Sequence, residues 1–422
     1  MLAGGGRATV RALAALPDGS ALAAGSFDGE LAAGGAAPVR AAGGDDGFAI
    51  LLSPAGEPRW SVTLAGSAGD ELAAAAASAR GEVAVAGFAD GRAALGRAEV
   101  AGQGHPAAVI ARLDPASGAP VWVRAIPASG YSVAAAIAWA EGDVVAAGYY
   151  GGTLDPSGAA LHGGGALDLW VARLSGADGS VRWLHRGGGP GTDSAHAIAV
   201  ADDGALLVAG AFTRWADLGS THLTALDEDG DPFLARVGAA GFEWARAFTS
   251  EGTAVARAIA PLAGGRVAVA IEFDGQLAAG YDRAESAGAT DVCVVAFERE
   301  GAVAWARRLG GPAADSAAGL WRQADDRLLV AGTFGDAFGR LRSEGGRDGY
   351  AALLGTRGVP VWQRRLGGVG DEVIAAGAAS AGHLVVGGAV ADRFDLGGRA
   401  GEASGHTDAF VTTIPLPYIR PR

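Results

Sequence analysis

Residue types that do chemistry are sparse in this sequence. The densest acidic run is LDEDGD at 226–231, where Asp227, Glu228, Asp229 and Asp231 offer the hard oxygen ligands that calcium takes. It is not an EF-hand: the glycine is misplaced, and the twelfth position counted from Asp227 is Gly238 rather than Glu. A solvated acidic turn is the favoured reading, with Asp227, Asp229 and Asp231 kept as a weak calcium candidate. The glycine run GGGPG at 187–191 leads into a strand pattern, so it lacks the helix N-terminus that a phosphate cradle needs. The seven His are dispersed, no pair has helix-like metal spacing, and no Ser or acidic residue falls into a nucleophile motif. No catalytic residue and no cofactor is therefore assigned from the sequence.

Composition narrows the partners. The net charge is −13, with acidic residues interspersed among the 33 basic ones, all of them Arg, and this argues against nucleic acid. No Asn is present, so no N-glycosylation acceptor exists. The single cysteine, Cys293, excludes an internal disulfide and sits in the strand run DVCVVAF, where a buried, inert thiol is expected. No apolar run reaches the ~18 residues of a membrane span. Arg7 and Arg11 precede a short ALAAL that aligns with a repeated strand, so the N-terminus is assigned to the fold and no signal peptide is visible. A monomer without membrane insertion is expected.

The organising feature is a repeat. Trp60, Trp122, Trp183, Trp244, Trp305 and Trp362 recur at spacings of 62, 61, 61, 61 and 57, and Gly25, Gly87, Gly148, Gly210, Gly332 and Gly388 keep step, with Ile271 in the remaining copy. A fixed period of this length marks units that complete their cores against their neighbours. Each unit contains four strand-like segments, A to D. Tight Gly-, Asp- and Pro-rich turns join A to B and C to D, as in ADDG (201–204) and PASG (115–118), and a long connection joins B to C.

Seven A–B pairs, seven C strands and six D strands are present. The chain starts on LAGGG, resembling the tail of a D strand, and stops after DAFVTTI (408–414), so both ends belong to one unit. These observations predict an all-β fold: a seven-bladed β-propeller of four-stranded antiparallel blades, the last blade incomplete or closed by the termini. The domain is single, 1–422, with blades near 8–64, 70–126, 131–187, 193–248, 254–309, 315–366 and 371–422. The missing final Trp is what a chain clipped upstream of Met1 would show.

The pattern DxFVARLxxxGxxxW followed by GGxGxDxAxAIAVxxDGxLLVAGxF, best kept at 168–212, resembles the bacterial β-propeller repeat of the SBBP type over essentially the whole chain. The resemblance implies a propeller and an extracellular or cell-envelope location, and implies no catalytic residue. LDPASGAPVW (113–122) also resembles the Trp motif of quinoprotein propellers, a kinship expected to extend to the fold alone.

Residues present in every unit serve a task common to every unit. The Trp is expected to pack on the adjacent blade, the strand-B Gly to permit close backbone approach, and the Asp that opens strand C to bond turn amides. That Asp occurs as Asp46, Asp168, Asp231, Asp291, Asp348 and Asp408, with His105 assigned to the remaining copy. A second series, Asp70, Asp193, Asp315 and Asp371, precedes strand A and is read as turn capping. The long B–C connections diverge in sequence, and variable segments on a rigid scaffold are where binding is usually placed. The off-pattern residues there, Tyr131, Tyr149, Trp215 and His105, are the candidate ligand-binding set, for a protein or carbohydrate partner. The alternative is a glycan-active hydrolase or lyase with carboxylates converging at a channel mouth.

Overall fold

A computed structural model describes residues 2–3, 6–33, 38–101, 104–155, 160–280, 282–380, 382–396, 398, 400–403 and 407–417. The expected tail of the last unit, 418–422, lies outside them. The chain divides into two compact units. The first comprises Met1–Arg186, Ala375–Asp392 and Glu402–Ile414; the second comprises Gly187–Ile374, Arg393–Gly401 and Pro415–Arg422.

Within each unit the repeated element is an antiparallel sheet in the strand order A-B-C-D. In the first unit it appears as Asp70–Ala77, Val83–Ala89, Ala107–Leu113 and Pro120–Ile126; in the second as Ala254–Pro261, Val267–Phe273, Asp291–Phe297 and Val303–Leu309. Seven sheets of this order occur among the described residues. One takes its fourth strand from the other end of the chain: Leu2–Ala3 pairs with Asp408–Pro415, Leu2 opposite Ala409.

Burial follows strand position. Strands B and C are covered on both faces and read as continuous apolar runs, as in Ala21–Phe27 and Asp46–Leu52, buried throughout. Strand A alternates, Asp70–Ala77 going from buried to half-buried residue by residue, and its alanines keep consecutive sheets close. The cores therefore lie between the faces of consecutive sheets. One joins Leu22, Leu51 and Leu64 to Leu72, Val85 and Val109; in the second unit another joins Ala270, Val292 and Val294 to Leu328, Val330 and Tyr350.

The strand-B glycine is a steric requirement. Among the described residues five copies of strand A carry a bulge, and in four of them, as between Ala195 and Ala197, a carbonyl is turned onto the glycine of strand B. A Cβ on Gly210 would lie 1.8 Å from Ser194 O, and one on Gly87 would lie 1.9 Å from Glu71 O. Nothing in the structure explains how Ile271 is accommodated in the copy that lacks this glycine.

The long B–C connections are not free loops. They fold into short hairpins, among them Arg92–Leu95 with Ala98–Ala101, Trp215–Leu218 with Thr221–Thr224, and Gln276–Ala279 with Asp282–Glu285. In the sheet that begins at Gly319, strands B and C themselves extend into the hairpin, as Leu328–Phe338 and Leu341–Leu354. Several hairpins pair with the end of the preceding sheet: Ala93 lies opposite Gly66, Gln276 opposite Glu251, and Ala128 bridges Leu154. Their backbone groups are thus used in straps between sheets, leaving only selected side chains outward.

Candidate functional site

Each sheet has two ends. The B–C hairpins lie at one, and the tight A–B and C–D turns at the other.

At the hairpin end the predicted aromatics form two separate arrangements. In the first unit Tyr131 and Tyr149 meet edge to face, centroids 6.3 Å apart at 84°, with Tyr131 37% exposed and Tyr149 half-buried. In the second unit Trp215 is 39% exposed, and its ring rests on Gly189, where a Cβ would come within 3.0 Å of the indole. His222, on the paired strand, sits 5.4 Å from the indole, and its Nδ1 lies 2.7 Å from Asp217 Oδ1. This gives an aromatic face flanked by a hydrogen-bonding pair, on a hairpin fixed by four residue pairs.

His105 needs correction. Strand register places Ala107, not His105, opposite Ala89, where the other sheets have Asp46 opposite Phe27 or Asp168 opposite Tyr150. His105 is exposed two residues earlier and occupies no repeat position. In place of the absent carboxylates, buried Ser132 accepts from Ala108 N at 2.9 Å and donates to Ile126 O.

The three aspartates of the calcium candidate also part company. Asp231 is buried, its Oδ2 accepting from Leu226 N at 2.9 Å and its Oδ1 from Ser250 N at 2.8 Å, while Asp227 accepts from Asp229 N. Among the described residues no three His, Cys, Asp or Glu side chains gather as a metal-binding group.

Five opening aspartates bond turn amides as expected. Asp46, Asp168, Asp231, Asp291 and Asp348 each accept, through Oδ2, a backbone N–H four or five residues upstream, at 2.7 to 3.0 Å. The series before strand A does likewise at Asp193 and Asp315, which accept from Gly189 and Gly311, whereas Asp70 accepts from Asp90 N, beyond the end of strand B. Its fourth member differs from the expectation. Asp371 is exposed and accepts from Arg347 N, while the longer, fully buried Glu372 takes the capping bond, from Gly368 N at 2.9 Å.

The sequence did not reveal that these two series meet. Asp291 with Asp315, and Asp348 with Glu372, converge on one glycine each. A Cβ on Gly310 would lie 2.1 Å from Asp291 Oδ1 and 2.6 Å from Asp315 Oδ2, and one on Gly367 would lie 2.0 Å from Asp348 Oδ1 and 2.7 Å from Glu372 Oε2. Two carboxylates so close and so dry do not both ionise. Burial first, and then the neighbouring Asp291, raise Asp315 to about 8; burial and Asp348 raise Glu372 to about 8. Asp70, beside Asp46, is raised to about 6, chiefly by burial. Arg308 lies 2.7 Å from Asp291 Oδ2. Asp291 Oδ1 and Asp348 Oδ1 are buried and accept no hydrogen bond among the described residues. These pairs are sealed between sheets, and neither of the clefts described next is lined by them.

At the tight-turn end two clefts open between consecutive sheets. One, of 290 Å³, lies in the first unit beside Leu16, Leu51 and Arg59; the other, of 430 Å³, lies in the second unit beside Trp244. Cys293 is buried and reaches neither.

No family model matches the chain, and no curated protein matches it. Among solved structures it is similar to the WD40 β-propeller domain of Doa1, at 10% identity over 92% of each chain with a TM-score of 0.49. It is also similar to BamB from Moraxella catarrhalis, at 16% identity over 89% of this chain and 92% of that one, TM-score 0.41. A putative 6-phosphogluconolactonase from Bacteroides uniformis matches at 13% identity over 93% and 99%, TM-score 0.46. The fold is all-β and its neighbours include a β-propeller; likenesses this low say nothing of function. No helix among the described residues is long and apolar enough to cross a membrane.

Proposed function

We propose that the seven sheets are blades of one closed β-propeller of the SBBP type, spanning 1–422. In this reading the protein is a non-enzymatic recognition or scaffold module of the bacterial cell surface or exterior. It holds a protein or glycan partner against the hairpin end of its blades. The observation that carries the reading is Trp215: an indole 39% exposed on a hairpin whose strands are joined by four residue pairs, supported from beneath by Gly189 and flanked by the His222–Asp217 pair. A rigid aromatic presented without ordering cost is the usual anchor of a recognition surface. The pairing of Leu2 with Ala409 supports the ring, since chain ends that share a sheet are what closure requires.

The glycan-active alternative requires acidic side chains that face a substrate. The pairs with the strongest perturbation, Asp291–Asp315 and Asp348–Glu372, are no more than 2% exposed and are bonded to turn amides, which favours binding over hydrolysis. The test is a glycan and protein-partner screen on the intact chain, repeated with Trp215→Ala and Tyr149→Ala. Loss of the partner on Trp215→Ala is expected; full retention in both variants refutes the assignment of this face.

A further inference from the structure

The repeat supplies its own control for the cleft beside Trp244. Four of the recurring tryptophans have the next C–D turn within the same unit, and three of them are covered by it in the same way. Trp60 donates its indole N–H to Pro115 O, Trp122 to Gly176 O and Trp305 to Thr356 O, at 2.9 to 3.0 Å. The turn glycine lies flat on the indole in each case: a Cβ on Gly118, Gly179 or Gly358 would come within 2.5 to 2.6 Å of the ring.

Trp244 departs from this pattern. Gly301, the corresponding turn glycine, rests on the Arg246 guanidinium instead, with the built Cβ 2.3 Å from it. Arg246 donates to Gly301 O and Glu300 O, whereas the Trp244 indole N–H donates to no described residue. The space the indole leaves uncovered is the 430 Å³ cleft.

The lining of this cleft has a definite chemistry. Leu207, Leu234 and Phe297 form an apolar floor beside the indole. Four arginines and three carboxylates line it, in a chain whose net charge is −13. Arg236 and Arg266 are paired with Asp203 and Asp326. Arg246 bonds only carbonyl oxygens, which neutralise no charge, and exposed Arg299 makes no hydrogen bond or ion pair among the described residues. Of the other two carboxylates, Asp202 lies 3.9 Å from Arg322 and Glu298 is exposed. Two guanidiniums that pair with no carboxylate and an indole N–H that meets no acceptor, above an apolar floor, match one ligand type.

We infer that this cleft binds a small organic carboxylate with an apolar or aromatic body, the body on the floor and the carboxylate on Arg299 and Arg246. A guanidinium presents a planar fork that matches a carboxylate bidentately, and the volume falls within the roughly 300–1,000 Å³ of small-molecule sites. This site lies at the opposite end of the sheet from Trp215 and does not depend on what the hairpins bind.

The test is titration of the intact chain with 1-naphthylacetate and its uncharged amide, followed by calorimetry and tryptophan fluorescence. Saturable binding at one site is expected, at least tenfold tighter for the carboxylate. Arg299→Gln, at an exposed side chain whose stem packs on Gly265, should reduce that preference at least fivefold, and Trp244→Phe should remove the fluorescence response. Trp215→Ala should leave both unchanged. The inference is overturned by absence of saturable binding, by equal affinity for acid and amide, or by Arg299→Gln binding as the native chain does. Uptake of an acidic peptide in place of naphthylacetate also overturns it.

Discussion

Replacing Asp315 by Asn should make the protein more stable at alkaline pH while leaving it nearly unchanged at pH 5. The folded protein holds the Asp315 proton up to about pH 8, because burial and Asp291 disfavour its charge. In the unfolded chain the same group releases its proton near pH 4. Between those values folding takes up one proton, so stability falls as pH rises, by about 1.4 kcal/mol per pH unit for one group, and the loss is complete once the folded group itself ionises. Asn keeps the acceptor for Gly311 N, 2.7 Å away, and offers an amide N–H toward Asp291 where the carboxyl proton lay. It has no proton to release on unfolding. Over the three units from pH 5 to 8 the variant should therefore gain on the order of 3–4 kcal/mol on the native chain. The assay is urea unfolding at pH 5, 6, 7 and 8 at constant ionic strength, reading both midpoint and slope. Glu372 and the overall −13 charge affect both proteins alike, so the difference between the curves isolates Asp315. Curves that run parallel across this range would refute the shared-proton account of the pair.

Three further outcomes follow from contacts in the sheets. Gly210→Ala should cost about 3 kcal/mol or more, because its Cβ would lie 1.8 Å from Ser194 O. Gly81→Ala, with no atom within 4 Å but a φ of +80°, should cost only about 1 kcal/mol, and thermal unfolding of the pair checks the contrast. Trp122→Phe should lose about 1–2 kcal/mol through its bond to Gly176 O, and Trp244→Phe clearly less, since its indole N–H has no partner to lose; equal losses by urea unfolding would contradict the difference between the two turns. Ser132→Ala should cost about 2–3 kcal/mol, because it strands both Ala108 N and Ile126 O in a fully buried place, whereas Ser132→Thr, which keeps the hydroxyl, should restore part of that loss in the same measurement.

The repeat made much of the fold legible. Periodic Trp and Gly reflect a packing problem solved again from sheet to sheet, and the strand-B glycine could be read as a point of close approach because a Cβ there would lie within 2 Å of a strand-A carbonyl, as at Gly87 and Gly210. The opening aspartates could likewise be read as turn caps, since a carboxylate preceding a strand finds backbone amides within its own loop. These are short-range consequences of residue type, and a single sequence contains them. Two assignments failed where counting outran geometry. The sequence pattern puts His105 at the opening of strand C, whereas strand register makes Ala107 the equivalent position. Counting back from strand B points to Asp371, yet Glu372 stands four residues after the amide it caps, the spacing that Asp193 and Asp315 keep from Gly189 and Gly311.

Only the tertiary structure decided what the long connections do and where open space lies. Divergent B–C sequences read as loops, but pairing with the preceding sheet, as at Ala93 and Gly66, turns them into straps, and such pairing joins residues about 27 positions apart with no sequence signature. The meeting of Asp291 with Asp315, and of Asp348 with Glu372, likewise depends on how one sheet packs on the next. The uncovered face of Trp244 has the same origin. Its sequence context matches that of the other tryptophans, and the difference lies in the packing, where Gly301 rests on Arg246 while Gly118, Gly179 and Gly358 rest on the indole. Residue identity determined which groups each sheet would carry; the packing between sheets determined which of them were left without a partner.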